Sequence, residues 1–183
     1  MPRQPRQKSS TGIYHITFRG SNKSYIFQQD NAKVHLLEDI ATAKEKSACL
    51  VFAYCIMDNH IHLLMKEGVE PIGSTIRRIK VRFTNWYNFT HQHINSIFGD
   101  RYHSEPIEDD TYLLAVIAYI FQNPIKAKLT DSPEKYVWSS YESLINNRSN
   151  DLLDITDLLE IVDKNAIITY TSSSPIDDIP DLD

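Results

Sequence analysis

Residues 48–66, ACLVFAYCIMDNHIHLLMK, constrain the fold more than any other stretch of the chain. Two short apolar runs flank Asp58-Asn59, a tight-turn dipeptide, so the segment reads as a β-hairpin. The first run, 48–57, is apolar on both faces and predicts a central strand. The second, 60–66, alternates. Residues i and i+2 of a strand share a face, so His60 and His62 project together while Ile61, Leu63 and Met65 project the other way. The rest of the chain has to supply whatever two imidazoles on one side of a strand would hold.

The flanking segments read as further elements. Ile13–Gly20, IYHITFRG, alternates Tyr14, Ile16 and Phe18 against His15, Thr17 and Arg19, which predicts a first strand. A helix is expected from Asp30 to Lys46, capped by Asp30 or Asn31, with Val34, Leu37, Ile40 and Ala41 as its apolar stripe. A second helix is expected from Pro71 to about His91, apolar at Ile72, Ile76, Ile79, Phe83 and Trp86. A short extended piece falls within 99–110. A third helix is expected from Asp110 to Gln122, capped by Asp109 or Asp110 and ended by Pro124, because the residue before a proline is pushed out of the helical region. The order strand, helix, strand, strand, helix, strand, helix predicts an α+β fold: a ferredoxin-like antiparallel sheet with packed helices. Three parts are expected along the chain. Residues 1–10 read as a disordered basic arm, 11–144 as the main folded domain, and 145–183 as an acidic C-terminal extension, partly helical or disordered.

Charge is unevenly spread. The net charge of −5 argues at first against a nucleic-acid partner. Residues 151–183, however, hold nine acids against one base, and the preceding 150 residues carry a net +3 and all seven histidines. A mildly basic body with an acidic tail is compatible with nucleic-acid binding. Cys49 and Cys55 lie in the apolar strand region and read as buried thiols in a reducing compartment. No apolar run is long enough to cross a bilayer. These features predict a cytoplasmic protein with no membrane partner.

On the third helix, at about 100° per residue, Tyr112, Val116, Tyr119 and Asn123 fall within an arc of roughly 60°. Tyr119 and Asn123 are an i, i+4 pair. If this helix packs across the sheet, a phenol and an amide meet the two imidazoles. Two neutral histidines and one amide oxygen make a three-point metal site with open positions for water and a phosphate oxygen. Such an ion acts as a Lewis acid on a phosphodiester. The phenol of Tyr119 is then the candidate nucleophile, its ionisation helped by the cation. Tyr112 is the rival on the same face and ranks second, lacking the amide four residues on.

The segments IYHITFRGSNK, YCIMDNHIHLLMK, GDRYHSEPI and YIFQNPIKAKL closely resemble the REP-associated tyrosine transposases, within the HUH class of single-tyrosine transposases. The resemblance runs from about Gly12 to Tyr141. It implies a metal-dependent endonuclease and strand transferase on single-stranded DNA, with targets folded as hairpins. It implies His60 and His62 as metal ligands for Mg2+ or Mn2+, Tyr119 as nucleophile and Asn123 as third ligand. Some relatives carry glutamine at the Asn123 position, which keeps Gln122 as a substitute ligand. Relatives include monomers as well as dimers that exchange the tyrosine helix, so a homodimer stays open.

Arg77, Arg78, Lys80 and Arg82 are the candidate DNA-binding residues, with Trp86 or Tyr87 available for base stacking. The plainer reading of this group is a solvated helix face. His91, His93 and His103 are expected to stay outside the chemistry. Two other functions compete. One is a non-catalytic nucleic-acid-binding module derived from such a transposase. The other is a zinc hydrolase, disfavoured because Leu64 stands where a histidine-triad enzyme needs a third alternating histidine.

Overall fold

The computed structural model describes residues 6–99, 101–146, 148 and 150–173. Its centre is one antiparallel sheet of β1 (Ile13–Arg19), β2 (Leu50–Ile56), β3 (His60–Lys66) and β4 (His103–Ile107), ordered β2-β3-β1-β4. With α1 (Asp30–Ser47) between β1 and β2 and α2 (Ile72–His91) between β3 and β4, this is the ferredoxin-like arrangement expected. The alternation along the strands sorts the core into two layers. Tyr14, Ile16, Phe18, Ile61, Leu63 and Met65 pack with Leu36 and Ile40 of α1 and Ile76, Ile79 and Phe83 of α2. The opposite face is covered by α3 (Asp110–Lys126), through Leu113, Val116, Ile117 and Ile120.

The α1 stripe differs from the expected one. The buried positions are Ala32, Lys33, Leu36, Asp39, Ile40, Ala43 and Ser47, while Val34 is exposed. Three polar residues in that row misdirect a hydrophobicity count, and each finds a partner. Lys33 Nζ donates to Asp58 Oδ1 (2.9 Å), Ser47 Oγ to Ala43 O (2.8 Å), and Arg82 Nε to Asp39 Oδ1 (2.8 Å). The Asp58-Asn59 turn contains no left-handed residue. It is held by tertiary bonds instead: Phe27 N–H to Asp58 O, Gly20 N–H to Asn59 O, and the Lys33 ion pair.

Two further expectations are corrected. The strand read as central is β2, and it lies at an edge. It is apolar on both faces because later chain covers its outer side. Ile56 N–H donates to Trp138 O, Ser140 N–H to Tyr54 O, Val51 N–H to Asp154 Oδ2, and Asp154 N–H to Val51 O. Covering an edge removes its unpaired backbone groups from competition with other chains. A bulge at Phe52 puts that ring and Ala53 on the α3 side together.

The third helix does not stop before Pro124 but continues to Lys126, with Pro124 inside it. The lost N–H is one bond of the last turn, and burial of the run from Tyr119 to Pro124 outweighs it.

Beyond α4 (Tyr141–Ile145) the described chain packs more than an acidic extension would. Leu152, Leu153, Leu158, Val162 and Ile167 are buried along α5 (Ile155–Leu159) and α6 (Lys164–Ser172), the latter not expected from the sequence. At the other end, Arg6 donates to Tyr102 O and Ser9 to Ile107 O, so the second half of the expected arm runs beside β4. Residues 1–5 of that arm and 174–183 of the tail lie outside the described residues. No described helix is long and apolar enough to cross a membrane.

Asp39 is fully buried, and burial pushes its carboxyl pKa up against the opposing pull of Arg82. Removing the partner of a buried carboxylate costs about 3–5 kcal/mol, less where the partner reaches solvent. Arg82 is 45% exposed. Arg82→Ala is therefore expected to lower urea stability by about 1–2 kcal/mol, and Arg78→Ala, whose partner Glu70 is itself partly exposed, by under about 1 kcal/mol. Identical urea midpoints for Arg82→Ala and the parent would show that the pair contributes nothing.

Candidate active site

His60 and His62 leave β3 on the face covered by α3, as the alternation requires. Their Nε2 atoms converge to 3.1 Å. Asn123, from the last turns of α3, brings its amide to 3.0 Å from His62 Nε2. Three donor groups from two elements distant in sequence therefore meet at one point. Donor atoms about 3 Å apart match neighbouring positions around one octahedral ion with bonds of about 2.1 Å. The amide nitrogen faces His62. A half-turn of that amide puts its oxygen at the same place, and oxygen is the atom a hard cation takes. Among the described residues no group of three His, Cys, Asp or Glu side chains could hold a metal, so an ion here would rely on the amide.

The tautomers favour this use. His60 Nδ1 is 2.6 Å from Asn59 Oδ1. With an amide oxygen as acceptor, the proton sits on Nδ1 and the Nε2 lone pair faces inward. His62 is fully buried, and burial, reinforced by His15 and His60, holds its pKa well below 6.5. His15 is also fully buried and is held down to about 3 by burial and, less, by His103. Both rings stay neutral near pH 7, the form that binds metals.

Tyr119 lies one helical turn before Asn123. Its ring meets His62 edge-on at 5.5 Å between centroids and His15 at 6.0 Å. Lys126 Nζ lies 5.1 Å from the ring centroid. The tyrosine is only 2% exposed. Tyr112 sits seven residues earlier, about 10 Å along the helix axis. Burial and the neighbouring Glu105 push its phenol pKa up, away from nucleophilic use. Gln122 is held elsewhere: its Nε2 donates to Thr171 O (2.9 Å) and Ser173 O (3.2 Å).

His60 also lines a cleft of about 460 Å³, together with Thr17, Arg19, Lys23, Arg101 and His103. Its cations suit a phosphate chain. Gly20 lines it too, and a Cβ there would collide with the backbone of Ser24. A second groove of about 700 Å³ shares Gly99 and Arg101 with the cleft and is lined by Arg6, Arg77, Lys80 and Tyr102. The four basic residues of α2 thus divide. Arg77 and Lys80 line the groove, whereas Arg78 pairs with Glu70 (2.9 Å) and Arg82 with Asp39. Trp86 and Tyr87 each have one face occupied, by His35 and His91 at 4.4 and 4.1 Å between centroids.

The sequence reading missed His15 and Asn59 and set His103 aside, though His103 lines the same cleft as His60. The signal for His15 was available. The alternation in IYHITFRG puts His15, Thr17 and Arg19 on one face, and the register Thr17↔His62 and Arg19↔His60 makes it the face of the imidazoles.

Residues 8–123 match a family model described as "Transposase IS200 like". Among solved structures, the chain is similar to a REP-associated tyrosine transposase bound to a REP hairpin, with TM-score 0.68 and 19% identity, covering 85% of this chain and 90% of that one. It is also similar to a putative transposase from Deinococcus radiodurans, with TM-score 0.46 and 13% identity, covering 69% of this chain and 98% of that one. No curated protein matches the chain.

A histidine held below its ordinary pKa stabilises the fold above about pH 6.5 and withdraws that stabilisation as pH falls toward the folded value. Urea midpoints are expected to drop steadily from pH 6.5 toward about pH 4. His15→Phe should flatten part of that fall. A parallel pH profile for the variant would mean that His15 does not carry it.

Proposed function

The chain belongs to the IS200-like transposase family, and from that premise we propose that it cuts and rejoins single-stranded DNA through a covalent bond between Tyr119 and a 5′-phosphate. The observation that carries this reading is the meeting of Asn123 with His62, whose Nε2 also meets that of His60, one helical turn from Tyr119. The fold likeness to a transposase bound to a REP hairpin supports a hairpin as the form of the substrate.

His60, His62 and Asn123 would hold a divalent cation, Mg2+ or Mn2+, which when bound draws charge from a phosphodiester as a Lewis acid. Arg19, Lys23 and Arg101 hold the DNA backbone in the cleft by charge. The Tyr119 oxygen attacks phosphorus and loses its proton to solvent. The new bond is P–O(Tyr119), the broken bond P–O3′, and the departing 3′-oxygen takes up a proton. One phosphoester replaces another, so a 3′-hydroxyl can reverse the step without ATP. Because Tyr119 is buried, the strand must displace the groups that cover it as it seats. Arg77 and Lys80 extend the positive surface along the neighbouring groove for the flanking DNA.

A labelled single-stranded hairpin incubated with the protein and Mn2+ is expected to give a covalent adduct on a denaturing gel, absent in Tyr119→Phe. Binding without any adduct would favour a non-catalytic module. Cleavage that survives Tyr119→Phe would sink the tyrosine assignment. In filter-binding titrations, Arg77→Ala and Lys80→Ala should each weaken DNA affinity and lower the salt slope by about 1, with Arg78→Ala changing neither. Equal effects at all three positions would mean that α2 acts as diffuse charge.

A further inference from the structure

His15 is the one fully buried imidazole of this region to which the proposed chemistry gives no part. Its Nε2 is 3.0 Å from His62 Nδ1, and the two rings lie nearly parallel, 19° apart with centroids at 5.3 Å. Its other nitrogen, Nδ1, is buried with no hydrogen-bond partner among the described residues. Such an atom has a desolvation cost that a purely structural side chain, phenylalanine for example, would not bring.

We propose that His15 is a positioning residue for the metal site, fixing the tautomer of His62 by accepting its Nδ1 proton. This inference rests on the reading that His60 and His62 hold a divalent ion. For His62 Nε2 to offer a lone pair beside His60 Nε2, the His62 proton must sit on Nδ1. The group against that nitrogen is His15 Nε2, so His15 accepts there and carries its own proton on Nδ1, which has no partner among the described residues. Asn59 performs the same service for His60, accepting from Nδ1 at 2.6 Å. Asn59 is in turn fixed by the bond from Gly20 N–H to its carbonyl. The two imidazoles thus have separate acceptors, one from the hairpin turn and one from β1. The β1 acceptor is set by strand register, since Thr17 opposite His62 places His15 one same-face step away.

The test is Mn2+ binding followed by the EPR signal of free Mn2+, in the full chain without DNA. His15→Phe, which removes the acceptor, is expected to weaken Mn2+ binding about 10- to 100-fold. His15→Gln, which can still accept through its amide oxygen, should recover most of that loss, whereas a merely space-filling role would favour the phenylalanine. Wild-type affinity in a folded His15→Phe protein would overturn the inference. Should His15→Phe fail to fold, the 15N shifts of His62 in the Mg2+-loaded wild type decide. A protonated Nδ1 supports the assignment and a protonated Nε2 overturns it. Failure of the wild type itself to bind Mn2+ would instead overturn the metal reading on which the inference rests.

Discussion

The site depends on α3 lying against the one face of the sheet that carries imidazoles. The alternation in β3 commits Ile61, Leu63 and Met65 to the layer under α1 and α2. That leaves His60, His62 and Leu64 for the other side, where α3 supplies Val116, Ile117 and Ile120 as the apolar contact. Burying those side chains, at about 25 cal/mol per Å2 of apolar surface, is what holds Asn123 against His62. The polar convergence alone would not, because each imidazole and amide gives up hydration to reach it.

The same packing explains the electrostatic character of the centre. Burial keeps His15 and His62 neutral, so the lone pairs are available while the walls of the cleft stay positive through Arg19, Lys23 and Arg101. An uncharged interior next to a charged mouth suits a polyanion that must deliver one phosphate to a sheltered point. The C-terminal part of the chain serves this arrangement indirectly. It covers the open edge of β2, and α6 takes the Gln122 amide while Asn123 meets His62.

Several particulars were legible in the sequence for a physical reason. The hairpin, the shared side of His60 and His62, and the grouping of Tyr119 with Asn123 all follow from periods of 2.0 and 3.6 residues, which are properties of local backbone geometry. His15 carried the same local signal but no indication of which strand it would face. Tyr112 and Tyr119 were indistinguishable by angle. The axial distance between them matters only once α3 has a fixed position over the sheet. Lys33 and Asp39 of α1 fell outside the expected stripe because a count of apolar residues cannot see ion pairs closed by Asp58 and Arg82, 25 and 43 residues away.

The sequence by itself determined which side chains share a face and in what order the elements come, because both are set by bonds between near neighbours. Tertiary structure alone decided that β2 is an edge with its outer side covered and that Pro124 stays within a helix. It also decided that Arg78 and Arg82 are bound up by carboxylates while Arg77 and Lys80 line a groove. Those outcomes turn on contacts between segments far apart along the chain. There, burial and charge pairing together outweigh the preferences that any short stretch expresses alone.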